Sequence, residues 1–105
     1  MNPQFKKGVL NLCVLALLQK RDMYGYELVQ SISQKIDISE GAVYPLLRRL
    51  TAEGYFTTYM VESSEGPARK YYKLTDLGEQ QLHQLRNDWA QFHKAVNELI
   101  EEGHV

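Results

Sequence analysis

With Cys13 as its single cysteine, the chain of 105 residues can form neither an intrachain disulfide nor a cluster of thiolate metal ligands. Cys13 itself reads as a small apolar core residue rather than a redox sensor. Prolines and glycines are few and scattered, so there is no low-complexity tract or long flexible linker, and no internal repeat is visible. Long apolar runs are missing too. The longest, Val9 to Leu18, is interrupted by Asn11 and is too short to cross a bilayer. Lys6 and Lys7 precede it as in a secretory leader, but no small-residue cleavage pattern follows. The expectation is a reduced, cytoplasmic protein with no membrane association. Catalytic constellations are lacking as well: there is no phosphate loop, no Ser-His-acid set and no pair of inward carboxylates, so neither an enzyme nor a cofactor is expected. His83, His93 and His104 have no cysteine or aspartate at a spacing that would complete a tetrahedral site, and no metal is expected.

Net charge is also nearly absent, at −1 from 12 Lys/Arg and 13 Asp/Glu, but the distribution of charge is uneven. Residues 1–74 carry ten Lys/Arg against seven Asp/Glu, and residues 75–105 carry two against six. The front of the chain is mildly basic and its end acidic.

Hydrophobic periodicity orders the rest. Val9–Leu18 is apolar nearly all round, which predicts a first helix buried on more than one side; in so small a chain, the second buried side suggests a second subunit. Asp22 is placed to cap a second helix reaching about Lys35, with Leu28 or Val29, Ile32 and Ile36 inward. Ser39 is a good cap for a third helix from Glu40, with Ile38 able to pack on Val43 and Gly54 marking the stop. Two helices so closely joined make a helix-turn-helix. After Gly54 the period becomes two: "YFTTYMVE" and "RKYYKL" predict paired strands around a "SSEGPA" loop. From Thr75 and Asp76 a long helix carries Leu82, Leu85, Trp89, Phe92, Val96 and Leu99 at steps of 3, 4, 3, 4 and 3, a seam suited to helix-on-helix packing. The ends, Met1–Gln4 and Gly103–Val105, are expected to be loose.

Three helices, a hairpin and a long helix make a mostly α fold of the winged helix-turn-helix type. Residues 1–74 form the winged unit and residues 75–105 a dimerisation helix, in one compact body. In this arrangement the third helix enters the DNA major groove and the hairpin reaches the backbone beside it. "SEGAVYPLLRRL" fits that role. With Val43, Leu46, Leu47 and Leu50 inward, Gly41, Pro45, Arg48 and Ala52 face out, with Tyr44 and Arg49 on the flanks. Pro45 has no N–H for the carbonyl of Gly41, and a local rule broken without structural gain points to function. Arginine can pair bidentately with guanine and tyrosine can bond a phosphate. At the wing, Arg69, Lys70 and Lys73 can neutralise phosphates.

The stretches "MYGYELVQSI", "SEGAVYPLLRRLTAEGYF" and "EGPARKYYKLTDLG", in this order and spacing, resemble the signatures of PadR-like bacterial transcriptional regulators, and specifically the small members with a single C-terminal helix. The resemblance runs from about Lys7 to Glu102. It implies a homodimeric, ligand-responsive repressor that binds a palindromic double-stranded operator. By position, Tyr44, Pro45 and Arg48 match the family's recognition helix and Gly66, Pro67, Arg69 and Lys70 its wing; Ser39, Ala42 and Arg49, at the start and flank of the same helix, complete the candidate DNA contacts. The two acids in "ESSE" before Gly66 depart from the pattern and weaken phosphate contact at the tip. Leu12, Leu82, Leu85, Trp89, Phe92, Val96 and Leu99 are the candidate dimer contacts. Trp89 and Phe92 read first as interface anchors. The resemblance adds a second role, since some small drug-responsive members hold a flat hydrophobic or aromatic molecule between paired tryptophans. The rival reading is a winged-helix module that binds a protein partner through Tyr44, Pro45 and Arg48.

Overall fold

The computed structural model describes residues 3–102, with side chains from Gly8 to Glu101. The expectation of loose ends falls outside these residues except at Pro3 and Gln4, whose backbone is helical; His104 also lies outside. Among the described residues the elements are α1 (Pro3–Lys20), β1 (Met23–Tyr24), α2 (Gly25–Ser33), α3 (Glu40–Ala52), β2 (Phe56–Ser63), β3 (Gly66–Leu74) and α4 (Asp76–Glu102). The strands form one antiparallel sheet in the order β1-β3-β2.

Leu10, Val14, Leu15 and Leu18 of α1 are buried in one core with Leu28, Val29 and Ile32 of α2, and with Val43, Leu46, Leu47 and Leu50 of α3. Phe56, Tyr72 and Met23 bring the sheet's inner face into the same core, and Ile36 and Ile38 pack at its margin. Only one side of α1 is buried in this way. Leu12, Ala16 and Leu17 are half-covered and pack against the margin of the same core, and Cys13 is half-covered beside them.

Three expectations are corrected. Asp22 does not cap the second helix: a short strand, Met23–Tyr24, intervenes, and Tyr24 stands at the N-cap. Its N–H is accepted by Glu27 Oε1 at 3.3 Å, satisfying a donor that the helix leaves open. Asp22 instead accepts the Tyr59 hydroxyl at 2.6 Å. Second, α2 ends at Ser33, short of Lys35, and continues only as a turn in which Lys35 and Ile36 donate to the carbonyl of Ile32. Third, the hairpin loop is tighter than six residues. Ser63 pairs with Gly66, leaving Ser64–Glu65 as the turn, with an irregularity between Val61 and Ser63.

The end of α3 follows the predicted chemistry. Gly54 has φ +84°, its N–H donates to Thr51 O at 3.0 Å, and the Tyr55 N–H donates to Leu50 O at 3.1 Å. This paired closure with glycine in the left-handed region satisfies the helix's last carbonyls. Thr75 then fastens α4 to that corner. Its hydroxyl donates to Gly54 O at 2.7 Å and accepts the Gly78 N–H at 3.0 Å, while its own N–H donates to Tyr55 O. Leu82, expected on the subunit seam, is fully buried within its own chain. The first turns of α4 lie across the winged core, with Leu85 half-buried at its margin, and the exposed apolar residues of the seam follow from Trp89 onward.

Candidate nucleic-acid interface

Helix α3 is continuous through Pro45. Because the proline withholds a donor from the carbonyl of Gly41, and Gly41 is exposed, water can satisfy that acceptor, which is why the helix tolerates the break in its ladder. Gly41, Ala42, Pro45, Arg48 and Ala52 are all exposed along the outer side of α3, opposite the four buried aliphatics. Ser39 occupies the N-cap position, but its hydroxyl makes no capping hydrogen bond.

Tyr44 is 37% exposed, and its ring edge lies over the start of α2. A Cβ at Gly25 would come within 3.2 Å of Tyr44 Cε1, so glycine there lets the Tyr44 ring close over the α2 N-terminus, with Tyr72 Cε1 in ordinary contact distance at 3.8 Å. Tyr72 is the buried partner beneath the surface pair. Burial pushes its hydroxyl above the usual 10, Tyr44 adds to the rise, and Arg48 opposes it. Tyr44, Arg48 and Tyr72 therefore belong to one electrostatic neighbourhood, with Lys70 Nζ standing 6.0 Å from the Tyr72 ring centre.

The two basic wing residues part company. Successive strand side chains point to opposite faces, and Lys70 shares the face of Tyr72, toward α3. Arg69 lies on the other face, its guanidinium 4.7 Å above the Tyr24 ring. Gly66 and Pro67 open β3 at the tip, both exposed. Arg49 is also turned away from the exposed row of α3. Its Nη2 donates to Asn11 Oδ1 at 2.8 Å and its Nε lies 3.6 Å from Glu53, so it ties α3 to α1. Sequence reasoning treated Asn11 as an interruption of an apolar run, and its polarity has this partner as its reason. Beyond the wing, Arg21 pairs with Glu27 at 2.8 Å.

Elsewhere on the molecule, α1 and α4 bound a largely apolar groove of about 250 Å³, lined by Gly8, Val9, Leu12, Leu85, Asp88, Trp89 and Phe92. Trp89 is 38% exposed, Phe92 51%, Leu99 71% and Ile100 57%. The indole of Trp89 lies 6.4 Å from the Phe92 ring and 5.5 Å from that of His93. No helix of the described residues is long and apolar enough to cross a membrane.

Residues 14–84 match the model of the transcriptional regulator PadR-like family. The chain superposes on the crystal structure of a PadR-like transcriptional regulator from Bacillus cereus with TM-score 0.83 and 38% identity, covering 92% of this chain and 96% of that one. It is 30% identical over 98 residues to the negative transcriptional regulator PadR of Bacillus subtilis, spanning 90% of this chain but about half, 52%, of that protein. A structure of Bacillus subtilis PadR in complex with operator DNA aligns with TM-score 0.65 and 32% identity, over 72% of this chain and 45% of that one.

Proposed function

The chain belongs to the PadR-like family of transcriptional regulators, and from this we propose that it is a DNA-binding repressor that acts as a homodimer on a palindromic operator. The observation that carries the reading is the single exposed face on which Tyr44, Pro45 and Arg48 of α3 stand beside Lys70 of the wing. Arg48 supplies the fork that reads a guanine edge, while Tyr44 and Lys70 meet phosphate and fix the register. Ser39 and Ala42, exposed at the start of α3, let the helix end approach the backbone closely, and Gly66 and Pro67 do the same at the wing tip. The structure of Bacillus subtilis PadR in complex with operator DNA supports DNA as the partner.

The apolar face of α4 supports the dimer. Leu85, Trp89, Phe92, Val96 and Leu99, joined by Leu12 of α1, make a contiguous surface of the kind that monomeric soluble proteins seldom leave uncovered. A second copy seated there brings two indoles toward one axis. The groove beside Trp89 and Phe92 then suits a flat, largely apolar effector. Such a molecule releases DNA only if it binds one dimer arrangement better than the other.

The deciding experiment is a gel shift, over a range of salt, on the DNA upstream of the gene with random DNA as control. A steep fall of affinity with salt on both DNAs, and tighter binding to the upstream segment, is expected. Absence of salt-dependent binding would instead favour the protein-partner reading of the same face.

A further inference from the structure

The outer face of the sheet carries a row of rings that DNA recognition through α3 leaves unused. Tyr24 of β1 is paired in register with Tyr71 of β3, which is paired in turn with Tyr59 of β2. Tyr59 and Tyr71 are stacked at 5.6 Å with planes 14° apart, and Tyr24 lies 5.5 Å from Tyr71. Tyr59 and Tyr71 turn a face to each other, while Tyr24 is tilted by 55° against Tyr71. Their contacts run within the molecule. Arg69 of β3 covers the Tyr24 ring, and the Tyr59 hydroxyl of β2 is held by Asp22, just before β1. Both contacts join the hairpin to the short segment between α1 and α2, and Tyr24 is also the N-cap of α2. β1 is only two residues long, so its backbone ladder alone is a weak hinge and side chains must carry much of the seam.

We propose that Arg69 is a positioning residue rather than a phosphate contact: seated on Tyr24, and seconded by Tyr59 on Asp22, it latches the wing to the start of α2 and so sets the placement of Lys70 relative to Arg48. The consequence for operator binding rests on the DNA-binding reading above; the latch itself is a property of the free protein. A cation over an aromatic face is directional, because the guanidinium must remain above the ring to gain from it. Losing the ring therefore frees the wing without removing any charge. Losing Arg69 frees it equally while removing one charge that faces away from α3.

The test uses the full chain and compares Tyr24→Phe, Tyr24→Leu, Arg69→Leu and the double variant with both leucines. Arg69 is an exposed strand residue, so its replacement leaves the core untouched. In the absence of DNA, amide hydrogen exchange of β3 around Tyr71 and Tyr72 is expected to quicken in Tyr24→Leu and Arg69→Leu and to stay as in wild type in Tyr24→Phe. On operator DNA, each leucine variant is expected to bind about two- to fivefold more weakly, the double variant no more weakly than either single one, and the salt slope to be unchanged. A salt slope shallower by about one phosphate in Arg69→Leu overturns the proposal, because Arg69 would then be a phosphate contact. Unchanged exchange in both leucine variants overturns it as well. If wild type binds no DNA, the functional reading fails while the exchange comparison still decides the latch.

Discussion

Gly78 shows how one missing methyl group sets a junction. A Cβ there would lie 2.0 Å from the carbonyl oxygen of Tyr55 and 2.7 Å from Leu74 Cδ1, so α4 can begin where it does only with glycine at this point. Gly78→Ala is expected to cost about 3 kcal/mol or more through overpacking against backbone that cannot yield, read as a lowered urea midpoint with an unchanged slope. Glu27 makes a second prediction at this scale. Partial burial alone would raise its carboxyl, but the Arg21 guanidinium and the Tyr24 N–H outweigh burial and hold it below the ordinary 4.5. A depressed folded value means that this stabilisation is complete above about pH 4.5 and is lost as pH falls through the lowered value. Between pH 6 and 3, wild type should lose stability more steeply than Glu27→Gln in urea titrations. Arg49 belongs here too. A sequence period can put it on a flank of α3, but only packing brings Asn11, far away in the chain, to meet it.

Among the elements, α3 was the most legible, since its cap position, aliphatic stripe and glycine stop are local features. The sheet was less so. β1 is two residues long, too short to leave a period, and it exists because Met23 and Tyr24 meet Tyr72 and Tyr71 of a strand distant in the sequence. The same pairing fixes which wing residue faces which way, so that Arg69 and Lys70, one dipeptide in the sequence, divide between two faces. A paired prediction follows for α3 and the wing. Arg48→Ala should cost about 1–3 kcal/mol on the operator and little on random DNA, because a base edge is read once per site. Lys70→Ala should weaken both DNAs alike and flatten the salt dependence by about one phosphate. Filter binding on both DNAs at three salt concentrations separates the two patterns, and equal losses on both for Arg48→Ala would make it a phosphate clamp.

At the scale of the molecule, the outstanding feature is an extended body, 60 × 28 × 21 Å, whose long α4 carries aromatic and aliphatic residues into solvent beyond the core. A second copy covering that face is expected to give a dimer in sedimentation at micromolar concentration. Leu85→Asp together with Val96→Asp should give a monomer, since a carboxylate in the seam would be buried without a partner; Val96→Asp alone, away from the core margin where Leu85 packs, should weaken the dimer with the fold intact. Leu82→Asp, by contrast, should unfold the chain. Trp89 offers the optical reporter. Planar aromatic compounds that release the operator should quench its fluorescence in the same titration, and release without quenching would move the effector elsewhere.

The period of the apolar residues, the glycine after α3 and the Thr75–Asp76 start of α4 are local chemistry, and they determined the order helix, helix, helix, hairpin, helix and the inward and outward sides of α3. They did so because a helix or hairpin must bury whatever apolar side its own sequence supplies. The tertiary structure alone decided that Leu82 is core and Leu85 stands at its margin, that Asp22 holds Tyr59 instead of capping α2, and that Arg69 rests on Tyr24 with its back to Lys70. Each of these depends on partners brought together from distant parts of the chain, and a one-dimensional period carries no information about which residue meets which across the core.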